Sequence, residues 1–566
     1  MKHRVVGLYN WHDANYCVFE DGVLVEHSEL ERYIRLKETP GDSLHYLKEI
    51  YLKKNNLTIG DINKFVSILP DTNLEFSGNS RIFDTHNTIS KEDIIFYPHH
   101  LCHAAHAYYS SQFDGAYILS IDSAGLESSG NSISVGGYIG SGNKIEKIFD
   151  ISSDIFSLGN LWGKCTRYIF KLQSGYPRGH EAGSVMAMAA MGDSVKYYED
   201  FKKMATVDFD SVKFNPMSHA RGIYVPPEED KIHPYLDKYR KIAEHDEKEK
   251  FNLAASLQRV TEEFISQLVL RLVEEARQSG FVSNNICFAG GVSLNSVAMG
   301  KIIPFSYKID NNNNSINNIF IPPVPYDGGM TIGACQYYWF HVLNNKKTNI
   351  FVSPYLGELY FIEEVNAAIC DNKEGLVVRN NISLGECVDL IIDDKIIAVF
   401  RGRSESGRRA LGNRSILASP KSLNMKDMIN EKVKHRQWYR PFAPSVLEEL
   451  AAEWFDGFFV SPYMSFVFAF KKDKLGLVPA VEHFNGTARI QSVSREYNEK
   501  YYELIYDFYE KTGIPMVLNT SFNDREPICE TPGHAIECFL RTEIDYLYFA
   551  DFNILISKNI DGKNKN

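Results

Sequence analysis

Three aspartates stand where short apolar runs meet small residues, and this placement restricts the folds open to the chain more than any other feature. They are Asp13 in Asn10-Trp-His-Asp13, Asp122 in Ser120-Ile-Asp-Ser-Ala-Gly125, and Asp327 in Asp327-Gly-Gly-Met-Thr-Ile-Gly333. A carboxylate at a strand end can hold a cation, and the N–H groups of small residues beside it can hold phosphate oxygens. Asp and Gly also make plain turns, so no single one of the three decides the matter. The runs around them read as strands. Arg4 to Tyr9 is apolar, Tyr16 to Glu20 follows, and an Asp21-Gly22 hairpin signal leads to Val23 to Glu26. Ala116 to Ile121 is a further strand with Asp122 at its end, and Ile286 to Phe288 is a short buried one. Between 251 and 273 the apolar spacing Phe251, Ala254, Ala255, Leu257, Val260, Phe264, Leu268, Leu272 predicts a long amphipathic helix. Strands and helices alternate again beyond a boundary expected near 350–360, giving two α/β domains, 1–355 and 356–566. The Asn-rich run Asp310 to Asn318 is expected to be a polar loop and Ser557 to Asn566 a frayed tail.

With the run Ala289-Gly-Gly-Val-Ser-Leu-Asn295, the aspartates point to a nucleotide cleft in an actin-like or sugar-kinase-like fold. There Gly290 and Gly291 would let the backbone approach the nucleotide, with Asn295 closing the run. The alternative is an ordinary strand-to-helix turn. A second constellation is Pro98-His99-His100-Leu101-Cys102-His103-Ala104-Ala105-His106, which holds four of the chain's 17 histidines. Proline suits the first turn of a helix, so Pro98 can open one here. At about 100° per residue His99, His103 and His106 share a face while His100 points elsewhere. Two imidazoles four residues apart can grip one metal ion. A polar helix face or a packing role is the alternative.

The third constellation is basic. Arg401 to Arg440 carries eleven Lys and Arg against three acids, a balance of +8 in a chain of net charge −11, which leaves −19 elsewhere. A solvated surface and an RNA-contacting patch using Trp438 and Tyr439 are two readings. The third is an anion pocket, because fixed Arg and Lys are what phosphoryl groups require. An acidic chain is a poor partner for an extended polyanion, so nucleic acid is not expected. The composition, 44% hydrophobic and 23% charged over 566 residues, excludes disordered and collagenous classes. No run of 18 apolar residues and no secretory leader pattern is present, and the nine scattered cysteines contain no CxxC. A cytoplasmic protein with no membrane partner is the expectation.

Longer motifs carry a resemblance. The run Arg403-Ser-Glu-Ser-Gly-Arg-Arg-Ala-Leu-Gly-Asn-Arg-Ser415, the run Asn430 to Val446 and Asn519-Thr-Ser-Phe-Asn523 resemble the C-terminal half of the NodU/TobZ-type O-carbamoyltransferases. The His-rich segment, Asp122 to Gly125, Ala289 to Asn295 and Asp327 to Gly329 resemble its N-terminal half, so the likeness runs in order over nearly the whole chain. It implies a C-terminal YrdC-like domain that makes carbamoyl-adenylate from carbamoyl phosphate and ATP, with Mg(II). It also implies an N-terminal actin-like (ASKHA) domain, similar to the catalytic subunit of tRNA threonylcarbamoylation, that binds iron and passes the carbamoyl group to a hydroxyl of a small-molecule acceptor.

Carried over by motif, the metal ligands would be His99, His103, Asp122 and Asp327, a set suited to Fe(II) or a similar divalent transition metal. His12 would be the catalytic base. Lys434, Arg440, Arg489 and Ser521 would hold carbamoyl phosphate and ATP. The chain departs from the family at Arg408, where a proline is usual, at Ser406, often an aromatic, and at Ser184, often a lysine. Two rival readings remain: a fused tRNA threonylcarbamoylation enzyme with the same two modules, and a non-enzymatic, nucleotide-binding actin-like scaffold, which gives no reason for the Lys434, Arg440 and Arg489 group. A hydrogenase-maturation carbamoyltransferase would carry CxxC zinc fingers, which this sequence lacks.

Overall fold

In the computed structural model, residues 2–69, 89, 93–173, 181–205, 234–302, 316–348 and 352–559 are described. The chain divides into two units, Met1–Val352 and Ser353–Asn566. The first is built on two five-stranded sheets. One comprises β1 (Arg4–Tyr9), β2 (Asn15–Glu20), β3 (Val23–Glu29), β4 (Lys64–Ile68) and β5 (Ile94–Tyr97) in the order β3-β2-β1-β4-β5. The other comprises β6 (Gly115–Leu126), β7 (Ser132–Ser141), β8 (Lys144–Ser152), β9 (Asn285–Ala289) and β10 (Asn318–Phe320) in the order β10-β9-β6-β7-β8. The topology is duplicated. In each sheet the first three strands form an antiparallel meander, and the last two add in parallel on the far side of the first. A central strand covered on both faces should be apolar throughout. In β1, Val5, Val6 and Leu8 are all fully buried.

Helix α1 (His99–Ser110) connects β5 to β6, and α3 (Met330–Gln336) follows Asp327. The two helices pack on each other, and Cys102, Ala105, Tyr108, Met330 and Ala334 share one core with Val5, Tyr9 and Cys17. Pro98 takes the position just before α1 rather than its first turn, with extended backbone. The long helix α2 spans Glu247–Gln278, beyond the expected 251–273. Asp246 caps it by accepting the N–H groups of Lys248 and Glu249. Its first turn is charged, so apolar spacing cannot reveal it.

The strand ending at Asp122 is a further difference. Strand β6 runs on to Leu126, and its pairing with β7 is interrupted between Ile121 and Gly125. That bulge carries Asp122. Gly125 is required at its far side, since a Cβ there would meet the His99 ring at 2.3 Å.

The second unit holds one eight-stranded mixed sheet, β11 (Leu376–Arg379), β12 (Ile397–Phe400), β13 (Arg414–Ala418), β14 (Ala443–Leu447), β17 (Gln491–Val493), β18 (Met516–Ser521), β19 (Tyr546–Phe549) and β20 (Ile554–Lys558). Their order is β11-β20-β19-β12-β13-β18-β14-β17, with a separate ribbon of β15 (Val467–Ala469) and β16 (Thr487–Arg489). Helices α4 (Leu384–Ile392) and α5 (Glu499–Thr512) cover one face, burying Val388, Ile391, Leu504 and Phe508 against Val399 and Val517. Ser557 and Lys558, expected to fray, pair with β11. The rest of the tail, from 560, and most of the Asn-rich run, 310–315, lie outside the described residues.

Candidate functional site

In the first unit four side chains converge. His99 and His103 lie one turn apart on α1, Asp122 sits in the β6 bulge and Asp327 immediately precedes α3. Their ligating atoms all lie within 4.8 Å of one another. The two Nε2 atoms face each other at 3.1 Å, and His103 Nε2 is 3.3 Å from Asp122 Oδ2 and 3.4 Å from Asp327 Oδ1. The Asp122 carboxylate is held by the N–H of Ser123 at 2.6 Å and of Gly291 at 2.7 Å.

The electrostatics are those of a cation site. Burial opposes protonation of His103, but hydrogen bonds and charges from Asp122 and Asp327 overcome it and raise its pKa to about 9. Burial and the Asp327 charge push the Asp122 carboxyl up, and the contacts with His103 and His99 bring it below its ordinary range. A buried carboxylate, Asp327, and a half-buried one, Asp122, aimed at two imidazole nitrogens fit a divalent transition metal with mixed N/O ligands.

His12 sits beside this set in the corner between β1 and β2. Its Nδ1 is 3.0 Å from Asp13 Oδ2 and its Nε2 is 3.5 Å from Asp327 Oδ2. Burial lowers its pKa, but the Asp13 hydrogen bond and the Asp327 charge outweigh that and raise it to about 9. Its side chain is 42% exposed, whereas His103 is 1% exposed, so His12 is the member of the group that a substrate can reach. Asp13, in left-handed backbone at φ 59°, orients His12 and is outside the four-residue set.

The other two histidines of α1 serve packing. His100 Nε2 donates to the Ile133 carbonyl at 2.9 Å and its Nδ1 accepts from Ser120 Oγ at 2.8 Å. His106 shares the helix face with His103, but its Nδ1 pairs with Ser110 Oγ at 3.1 Å.

The Ala289 to Asn295 run has partners of its own. Gly290, at φ 86°, presses on β6, where a Cβ would lie 2.2 Å from the Ile121 carbonyl oxygen. Gly291 spends its N–H on Asp122. Asn295 exchanges two hydrogen bonds with Gln258 of α2, at 3.1 and 2.9 Å.

In the second unit Lys434 is buried. Its Nζ donates to Ser521 O at 2.5 Å, Asn523 Oδ1 at 2.6 Å and Asn523 O at 2.8 Å, with Ser521 Oγ at 3.1 Å. It thus pins the end of β18, and Asn523, which the sequence reading did not single out, is its main partner. Arg489 ends β16. Its Nε is buried with no hydrogen-bond partner. Burial first, then the charges of Arg409, Arg440 and Arg436, hold its guanidinium well below its ordinary pKa. Three arginine charges bearing on a fourth arginine whose buried Nε lacks an acceptor are features that suit an anion.

Glu405 shapes the neighbouring loop and was also missed. Fully buried, its Oε1 accepts the N–H groups of Leu411, Asn413 and Arg414 at 2.6, 3.0 and 3.2 Å. The turn at Gly407, φ 92°, is closed this way in a chain that has Arg408 in place of a proline. The only other metal-type group among the described residues is Glu526, Cys529 and Cys538, of which Glu526 is already ion-paired to Arg541.

The family described as carbamoyltransferase N-terminus matches residues 3–336, and that described as carbamoyltransferase C-terminus matches residues 388–556. An uncharacterized protein of Synechocystis sp. is 32% identical over 81% of this chain and 76% of its own length. Nodulation protein NolNO of Sinorhizobium fredii is 34% identical over 81% of this chain, which spans 64% of that longer protein. Among solved structures, HypF of T. kodakarensis aligns with 62% of this chain and 49% of its own at 12% identity, with a TM-score of 0.38, too low to assign a fold. Among the described residues no helix is long and apolar enough to cross a membrane. The two family matches cover both units in order, and the chain belongs to the carbamoyltransferase family.

Proposed function

We propose that this carbamoyltransferase is ATP-dependent. Its C-terminal unit, read as YrdC-like, forms carbamoyl-adenylate from carbamoyl phosphate and ATP, consuming a water and releasing phosphate and pyrophosphate. Its N-terminal unit, read as actin-like on the duplicated sheet order, transfers the carbamoyl group to a hydroxyl of a small molecule such as a natural product or sugar, leaving AMP. The observation that carries this reading is the buried, partnerless Arg489 Nε among Arg409, Arg436 and Arg440. Such a cluster costs free energy unless an anion fills it, and carbamoyl phosphate with ATP brings several negative charges to one place. The arginines draw the phosphoryl groups together and stabilise charge on the groups displaced. Lys434 and Asn523 hold the Ser521 end of β18.

In the N-terminal unit His99, His103, Asp122 and Asp327 would hold Fe(II) or a similar divalent ion, which supplies Lewis acidity toward a phosphoryl or carbonyl oxygen. His12 is the general base. Its Nδ1 is fixed by Asp13, leaving Nε2 toward the site. Once the Asp327 charge is balanced, the ring returns toward neutrality and can take the acceptor's hydroxyl proton. Incubation with carbamoyl phosphate, ATP and Mg(II) should release pyrophosphate in step with loss of carbamoyl phosphate. Intact carbamoyl phosphate with no pyrophosphate refutes the reading.

A further inference from the structure

Two exposed aromatic rings border the arginine cluster, and nothing in the reading above uses them. Trp438 is 49% exposed and Phe484 is 53% exposed. They come from segments far apart in sequence and meet edge-to-face, with centroids 5.6 Å apart and planes at 88°. Each lies on a segment that supplies the cluster. Trp438 stands between Arg436 and Arg440, and Phe484 lies five residues before Arg489.

Two further groups join them. The Lys426 ammonium sits over the Phe484 ring, 4.1 Å from its centroid. Burial, and with it the Arg436 charge, lowers the Lys426 pKa, which puts the two cations in one neighbourhood. His483, next to Phe484, has its pKa lowered to about 3 by burial and then by the charges of Arg489 and Lys426. The Trp438–Phe484 pair and Lys426 over Phe484 thus lie in the neighbourhood of the arginine cluster.

A pair of exposed aromatic rings in contact offers a flat ligand a surface to stack on. A cationic floor alone cannot tell a nucleotide from any other phosphate, whereas a flat ring beside it can. We propose that Trp438, with Phe484 as its support, is the platform on which the nucleobase of a nucleoside triphosphate stacks while its phosphates occupy the Arg409/Arg436/Arg440/Arg489 cluster. This deepens the function proposed above and rests on its assignment of that cluster to ATP. The base contact would give the site its preference for a nucleotide over a bare phosphate chain.

The test compares ATP with inorganic tripolyphosphate, which has the charge but no base, by calorimetry on the full-length protein. Wild type should bind ATP more tightly than tripolyphosphate. Trp438→Ala should weaken ATP about tenfold to a hundredfold, the range of base–aromatic stacking, and leave tripolyphosphate affinity in place. Trp438→Phe, which keeps a π face, should restore most of the difference, and Phe484→Ala should give a smaller loss confined to ATP. If Trp438→Ala weakens both ligands equally, the ring only braces the surface and the proposal fails. If it changes neither, the proposal fails while the anion site stands. If wild type binds neither ligand, the cluster is not an ATP site and both readings fall.

Discussion

Glu405→Ala should cost the C-terminal unit about 3 kcal/mol. The carboxylate is fully buried, and one oxygen holds three backbone N–H groups of the 411–414 turn. A buried donor left without a partner costs roughly 1–3 kcal/mol, so three donors at the low end give about 3 kcal/mol. The low end is the right one, because removing a buried charge returns part of its desolvation and water can enter the vacated space. The carboxylate's other oxygen is itself buried without a partner, which enlarges that return. Glu405→Gln separates geometry from charge. The amide keeps an oxygen for the three donors, and the loss should fall to about 1 kcal/mol, the difference between charge-assisted and neutral bonds after the same offset. For a unit of this size, 3 kcal/mol moves its thermal midpoint by about 6–12 °C. Denaturant and thermal unfolding, each followed by two probes, measure both variants. A loss under 1 kcal/mol for Ala, or equal losses for Ala and Gln, would refute the view that this carboxylate closes the loop. Arg409 lies on that loop and bears on Arg489, so the surviving folded Ala variant should also bind anions more weakly.

Three further outcomes follow from the two sites. His103→Ala removes one of four converging ligands and should leave pyrophosphate release intact while stopping transfer to acceptor; carbamoylation of acceptor at the wild-type rate would overturn the metal assignment. Arg489→Ala should abolish the rise in melting temperature that millimolar phosphate gives wild type and should raise KM for ATP and carbamoyl phosphate at least tenfold, whereas an unchanged phosphate response places the anion elsewhere. His106 is 1% exposed, and burial, then the charges of His27 and His103, lower its pKa to about 3. The unfolded chain takes that proton near pH 6.5 and the folded chain only near 3, so the folded state loses stability as pH falls through that window and the loss is complete below it. His106→Gln should remove about 1.4 kcal/mol per pH unit of that slope, and parallel wild-type and variant stability curves between pH 6 and 4 would contradict this.

The parts of the metal-type cluster were legible in the sequence as local signals, and the family resemblance is what joined four of them into one set. His99 and His103 are one helical turn apart, and each aspartate stands beside small residues that end or bend a strand. What spacing left undecided was which histidines turn inward. His106 shares the face of His103, yet Ser110 one turn on takes its ring. The glycine run shows the same limit. Gly290 and Gly291 were read as a place for a nucleotide to come close, and the fold adds two local demands on them, close packing of Gly290 on β6 and the Gly291 N–H bond to Asp122.

The basic segment gives the clearest case. A local charge count treats its eleven cations alike, and the fold separates them by partner. Arg414, fully buried, gives its guanidinium to the carbonyls of Arg401, Gly402 and Asn413 and lies 3.6 Å from the Phe400 ring centroid. Arg403 holds the carbonyls of Gly357 and Leu356, and Lys434 the end of β18. Each of these has oxygens of the chain itself as partners. The charges of Arg409, Arg436 and Arg440 bear on Arg489, which lies outside the counted window and arrives on the ribbon of β15 and β16, while Arg436 also donates to Asn430 Oδ1 at 2.8 Å. Net charge in a window reports solvation and steering, whereas an anion site depends on a buried donor left without an acceptor, as Arg489 Nε is. That property belongs to the tertiary arrangement, so Arg489 could be proposed from its motif, but its orphaned Nε and its three arginine neighbours could be found only in the folded chain.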